Sequence, residues 1–280
     1  MKLAYFSGCK LPFYLQDYDL SFKAVMNQLN VELVSLPFNC CGYPARSENF
    51  EVSMLSAIKN LAIAQSHNLD MITPCKCCFG QFKHAVYWYK TNPALKEKID
   101  HLLSSEGLSW SGRTRIKHGL SFLHQEIGLE AIKRLIHQPL APVNIAVQYG
   151  CHALRPFSIT GFDNPFFPKI FEQLLSLTGV RMVEWSKRTE CCGNPIFKEH
   201  TKLSIKLLQN KFNTAKKAGA DYICTACTHC QMQYELVKTQ NTLNNQNLPT
   251  LLFTQILGAA LGIPGHRLSQ TGQLPENLYL

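Results

Sequence analysis

The chain has 280 residues, 46% of them hydrophobic, and carries 28 Lys and Arg against 19 Asp and Glu, a net charge of +9. That apolar share excludes a disordered chain, and the length allows one large domain or two smaller ones with ample core. The basic residues are scattered rather than grouped in runs, which argues against a nucleic-acid partner.

The longest apolar stretch, 251–263, is interrupted by Thr254 and Gln255 and is too short to span a bilayer. The opening MKLAYFSGC has one Lys and no adequate apolar run for a signal peptide, so a cytoplasmic protein is expected.

In chain order, Lys2–Phe6 is a short apolar run ending at Gly8, the pattern of a buried strand followed by a turn. Asp19 caps a predicted helix through Leu29, with Phe22, Val25, Met26 and Leu29 on one face. A strand over Val31–Leu36 runs into the Cys40–Cys41 loop. A helix over Ser47–Ser66 turns Val52, Leu55, Ile58 and Ala62 inward, and Pro74 ends a short strand over Asp70–Thr73. The segment from Thr91 to Pro142 reads as a connector, with a helix over His118–His137.

The alternation then returns. Strands are predicted at Val143–Gln148, Val180–Trp185 and Tyr222–Thr225, and helices at Phe166–Leu177 and Glu199–Lys217. The tail from Ser269 is polar and reads as loose. The expected architecture is α/β. Two pseudo-repeated lobes, residues 1–90 and 143–268, each hold a small, mainly parallel sheet flanked by helices. A helical connector, 91–142, joins them, and a polar tail, 269–280, follows. The cysteines fall at or just beyond strand ends, where open parallel sheets place ligand sites.

The repeat is carried by ten of the 12 cysteines. YFSGCK, NCCGYP and PCKCC in the first half match QYGCHALRP, ECCGNP and CTACTHC in the second. The offset is 142 residues for Cys9 and Cys151. It is 151 for Cys40 and Cys191 and for Cys41 and Cys192, and 152 for Cys75 and Cys227 and for Cys78 and Cys230. Ten cysteines thus map five onto five in one order, leaving Cys77 and Cys224 as odd thiols with a packing or supporting role.

A disulfide scaffold does not suit a large chain without a secretory signal. Grouped thiols in a reducing compartment read as metal or cluster ligands. Structural zinc takes four ligands, one fewer than each set, and adjacent cysteines fit a single tetrahedral ion poorly. Cys224-x-x-Cys227-x-x-Cys230 resembles the start of a ferredoxin run but lacks the fourth Cys before Pro.

Cys, then Cys-Cys-Gly, then Cys-x-x-Cys, present twice, resembles the cysteine-rich CCG-domain proteins, in particular the B-type catalytic iron–sulfur subunit of heterodisulfide reductases. IGLEAIKRLIHQPL and LLFTQILGAALGI lie in the same order as in that subunit, and the resemblance extends to about Ile263. It implies two noncubane [4Fe-4S] clusters. One would be held by Cys9, Cys40, Cys41, Cys75 and Cys78, the other by Cys151, Cys191, Cys192, Cys227 and Cys230. The repeat offset selects Cys78 over Cys77.

The resemblance also implies clusters that face each other across a cleft where a disulfide is cleaved or formed. Electrons would pass through a small ferredoxin-like subunit and a flavin subunit, since the chain has no complete ferredoxin motif and no GxGxxG of its own. His152, His229 and Arg155, close in sequence to ligand cysteines, are the candidate catalytic side chains. Lys10, Arg46, Lys76, Lys187 and Arg188 are candidates to offset cluster charge or draw an anionic substrate.

Three rival readings remain open at this point. One is a bacterial sulfur-oxidising version acting on a lipoyl- or protein-bound sulfur carrier. Another is a quinone-linked subunit of the same type. The third is a zinc-stapled module without activity.

Overall fold

A computed structural model describes residues 1–239 and 248–279. Residues 240–247, within the predicted second lobe, and residue 280, the end of the predicted tail, lie outside the described residues.

The first half runs β1 (Lys2–Tyr5), α1 (Leu11–Tyr14), α2 (Gln16–Gln28), β2 (Glu32–Val34), α3 (Phe50–Ser66), β3 (Met71–Thr73), α4 (Lys76–Thr91), α5 (Pro93–Ser105) and β4 (Ile116–His118). Next come α6 (Gly119–Phe122) and α7 (Leu129–Leu135), joined by a π-helical turn. The second half runs β5 (Asn144–Gln148), α8 (Phe157–Thr160), α9 (Ile170–Ser176), β6 (Arg181–Met182), α10 (Thr201–Lys217), β7 (Tyr222–Thr225), α11 (Thr228–Thr239), β8 (Thr250–Leu252) and α12 (Phe253–Ala260).

Each half builds one four-stranded parallel sheet, in the orders β2-β1-β3-β4 and β6-β5-β7-β8. The expected pair of parallel α/β lobes is therefore present. In both, the chain reverses its direction of strand addition between the first and third strands, so the loops leaving those strands flank the crevice where such sheets bind ligands. Cys9 and Cys75 follow β1 and β3, and Cys151 and Cys227 follow β5 and β7.

Local chemistry sets the helix ends around these loops. Asn49 caps α3 by accepting from the Val52 N–H at 3.0 Å. The Cys75 sulfur caps α4, taking the Cys78 N–H at 3.4 Å. α9 is shorter than its apolar pattern predicts. Asp163 and Asn164 bind the N–H groups of residues 166, 167, 169 and 170, so helix begins only at Ile170. Phe166 and Phe167 are left 77% and 68% exposed. Within α3, Ile58 and Ala62 are buried as expected, whereas Val52, in the first turn, is 49% exposed.

The segment 91–142 supplies α5, α6 and α7 and also β4, which completes the first sheet by pairing with β3. The tail is packed rather than loose. Leu278 is fully buried, its carbonyl takes the Ala141 N–H at 2.9 Å, and Ser269 bonds Asp17 across the molecule at 3.0 Å.

The two sheets share their core. One continuous apolar cluster joins Leu3, Phe22 and Leu120 to Ile145, Phe171 and Leu257. At its seam Phe79 of α4 stacks edge-on against Phe162 at 5.7 Å, and Ser21 of α2 bonds Thr254 of α12 at 2.6 Å.

Candidate functional site

Each Cys-Cys-Gly element is an unwound turn pressed onto the helix that follows it. Gly42 (φ +84°) and Gly193 (φ +87°) occupy the left-handed region, and a Cβ on either would meet Ser53 or Ser204 at under 3 Å. Supporting polar groups repeat as well. Gln81 reaches the Ser53 hydroxyl at 2.7 Å, and Gln233 reaches the Ser204 hydroxyl at 2.9 Å.

The thiols these turns present form two sets of neighbours. In the first lobe Cys9 touches Cys40 at 4.0 Å, Cys40 bonds Cys41, Cys41 bonds Cys78, and Cys78 bonds Cys75. In the second, Cys151 bonds Cys191, Cys191 bonds Cys192, Cys192 bonds Cys230, and Cys230 bonds Cys227. All ten predicted ligands are thus brought together, five to each lobe. The sets meet at the seam, where Cys77 and Cys227 lie 3.9 Å apart and Cys75 also contacts Cys227. None of the 12 cysteines is in a disulfide.

Proximity polarises these groups in the same way in both lobes. Donation from Cys41 and Cys9 holds Cys40 down at about 2, and donation from Cys151 and Cys192 does the same to Cys191. Their neighbours move the other way: Cys192 is pushed up to about 12, first by its bond to Cys191. Cys227 is drawn down to about 7, chiefly by Cys230. A cluster of facing sulfurs with thiolate character is the donor set of iron–sulfur chemistry. Each five-thiol set runs neighbour to neighbour, and its donors are of the kind that a multi-iron cluster takes.

The odd thiols differ from each other. Cys224 is inside β7, fully buried, and raised by burial. Cys77 is at the seam between the sets, 3.5 Å from His152 Nδ1. That imidazole is also 3.5 Å from Cys151 Sγ, and its Nε2 meets the Tyr43 hydroxyl at 2.7 Å. Tyr43 packs edge-on against both His152 and His229. Burial lowers His152, with His229 adding to the effect. For His229 burial acts downward too, but the bond to Cys75 and the charges of Cys75 and Cys227 together outweigh it and the net shift is upward.

These groups open into a cleft of about 740 Å³ between the lobes. It is lined by Lys10, Tyr43, Arg46, Asn194, Lys198 and His229, among others. Arg155 is exposed and does not line it. Tyr43 and Thr228, whose hydroxyl lies 2.7 Å from Cys75 Sγ, went unremarked in the sequence. Their only signal there is position, one residue past Cys-Cys-Gly and one past the first Cys of Cys-x-x-Cys.

The model of the cysteine-rich domain named CCG matches this chain twice, over residues 3–83 and 145–235. The chain belongs to the CCG family. This CCG protein is 28% identical, over 93% of its length and 89% of the relative's, to the B-type subunit of the ferredoxin/F(420)H(2)-dependent CoB-CoM heterodisulfide reductase of Methanosarcina acetivorans. It is 29% identical, over 95% of its length and 94% of the relative's, to the 8-methylmenaquinol:fumarate reductase membrane anchor subunit of Wolinella succinogenes.

Its fold matches a crystal structure of a hypothetical Helicobacter pylori protein with a TM-score of 0.72 at 15% identity. The match covers 93% of this chain and about half, 49%, of that one. Among the described residues, no helix of this CCG protein is long and apolar enough to cross a membrane.

Proposed function

We propose that this CCG protein is the cluster-bearing subunit of a heterodisulfide-reductase-like oxidoreductase, and that it reduces or forms a disulfide in the cleft between its lobes. The observation that carries this reading is the meeting of two five-thiol sets at one seam, where Cys75 contacts Cys227, beneath one cleft. Cys9, Cys40, Cys41, Cys75 and Cys78 would hold one noncubane [4Fe-4S] cluster, and Cys151, Cys191, Cys192, Cys227 and Cys230 the other. Such clusters supply two one-electron centres, matching the two electrons that a disulfide takes up.

The chain's own groups serve the protons. Reducing R–S–S–R′ to two thiols consumes two protons. His152, held by Tyr43, and His229, beside Cys75, stand at the cleft to hold them. On its walls Lys10, Arg46 and Lys198 outnumber Glu48 and Glu199, a balance that favours an anionic substrate. Electrons would come from or leave to a ferredoxin-like subunit and a flavin subunit in the cytoplasm.

Anaerobically purified protein is expected to carry about eight irons with matching acid-labile sulfide. One or two zinc ions per chain without sulfide would overturn the reading. Similarity to the fumarate reductase subunit favours a second reading, a quinone-linked subunit. Turnover with a quinol but with no low-molecular-weight or lipoyl disulfide would select it.

A further inference from the structure

The two lobes repeat each other closely, but two buried positions break the repeat, and both do so in favour of the second thiol set. Lys211 of α10 is 1% exposed. Its ammonium donates to the Lys187 carbonyl at 2.5 Å and to Gln148 Oε1 at 3.0 Å, over the face of Trp185. Gln148 in turn donates to the carbonyl of Glu190, the residue before Cys191. At the same 151-residue offset that relates the Cys-Cys pairs, α3 carries Asn60. Asn60 is also fully buried and also props up its loop, binding Asn39 and the Cys40 carbonyl. The structural job is shared; the charge is present only in the second lobe.

The other position crosses the seam. Lys76 follows Cys75 in the first lobe, yet its buried ammonium donates to the Tyr149 carbonyl at 2.6 Å, two residues before Cys151. There it lies among the Tyr149, Phe162 and Phe171 rings. The counterpart at the 152-residue offset is Thr228, which crosses the other way and meets Cys75 with a neutral hydroxyl. The floors differ too. Gln148 and Tyr234 bond each other under the second set, whereas Phe6 and Phe82, at the matching offsets, stack edge-on under the first.

Other charges bear on the balance. Glu172, half-buried, acts on Lys76 and is paired with Arg188 at 3.2 Å, and Glu190, which acts on Lys211, is exposed and paired with Lys187 at 3.0 Å. The first lobe's own cations, Lys10 and Arg46, are half-exposed in the cleft, where water screens them more than it screens buried groups.

We infer that Lys76 and Lys211 make the two halves electrically unequal, so that the cluster of the second lobe has the higher reduction potential and takes the first electron. This rests on the cluster reading above. The physics is direct: reduction adds negative charge, and nearby buried cations and a polar floor favour the more negative state. Lys76 and Lys211 are positioning residues that tune the site; neither lines the cleft.

The test is a spectroelectrochemical titration, by visible absorption and EPR, of the anaerobically purified full chain after iron and sulfide are counted. A chain without iron and sulfide fails the cluster reading itself, before any potential is measured. With clusters present, two separated midpoints are expected. Cys192→Ser should remove the higher and Cys41→Ser the lower. Lys211→Gln, which keeps a donor, should move the higher midpoint down and leave the lower in place. Coincident midpoints, loss of the lower one in Cys192→Ser, or equal shifts of both in Lys211→Gln would overturn the inference. If Lys211→Gln does not fold, the two cysteine variants decide it.

Discussion

Replacing Gly42 by Ala tests whether the Cys-Cys-Gly turn is set by backbone shape or by crowding. Two costs are expected. The first is conformational: φ is +84°, and an L-residue held in the left-handed region costs about 1–2 kcal/mol. The second is steric, because the new methyl would sit 2.4 Å from the Ser53 carbonyl oxygen and 3.0 Å from its Cα, backbone atoms of α3 that cannot rotate away. Overpacking of this kind costs about 1–3 kcal/mol more.

Gly112 separates the two costs. It has the same φ of +84° with nothing within 4 Å, so Gly112→Ala should show the conformational part alone. In urea unfolding of anaerobic protein, with iron per chain measured alongside, Gly42→Ala should lose about 2–5 kcal/mol and much of its iron, and Gly112→Ala about 1–2 kcal/mol and none. Gly193→Ala should fall between them, since its nearest neighbour at 2.8 Å is the Ser204 hydroxyl, which can swing. If Gly42→Ala is no worse than Gly112→Ala, contact between turn and helix does not constrain the loop.

Burial, with the charge of Lys76 nearby, holds His118 down at about 3, while its two nitrogens contact the Leu120 N–H and the Pro74 carbonyl. The unfolded chain takes up this proton near the ordinary histidine value and the fold does not. Stability is therefore complete above about pH 6.5 and falls by up to about 1.4 kcal/mol per unit as pH drops toward 3. His118→Asn, which keeps the acceptor for Leu120, should flatten that part of the urea midpoint-versus-pH curve; an unchanged slope counts against it. Cys224→Ser and Cys77→Ser should keep nearly all their iron, because neither has a repeat partner. Cys192→Ser should lose one of two clusters, and a Cys224→Ser protein as depleted as Cys192→Ser would break the ligand assignment.

The ten-cysteine pairing was legible because it depends on order and offset alone, and parallel sheets were legible because apolar runs such as Asn144–Gln148 alternate with helical periods. What escaped were elements whose patterning is masked by their location. α4 is wedged between lobes, so Lys76, Gln81 and His84 are buried with its apolar residues, and its solvent face is thin, marked by Lys83, Tyr87 and Lys90. β4 and β8, three residues each, run straight into α6 and α12, so their apolar residues merge with the helical pattern. For the site, Tyr43, Thr228 and Lys76 act across the seam, and no spacing within one lobe reports on a partner in the other. The exposed Phe166 and Phe167 show the converse error, an apolar run that local Asx bonds and prolines keep from being helix.

The crossing of Lys76 and Thr228 sets what kind of molecule can have unequal centres. Two identical copies of one lobe around a twofold axis would place the same residue at both crossings, so any charge delivered to one thiol set would be delivered to the other. Covalent joining of two copies lifts that symmetry. One mutation then changes one crossing only, and each half can specialise while the seam, the cleft and the 1:1 ratio stay fixed by the peptide chain.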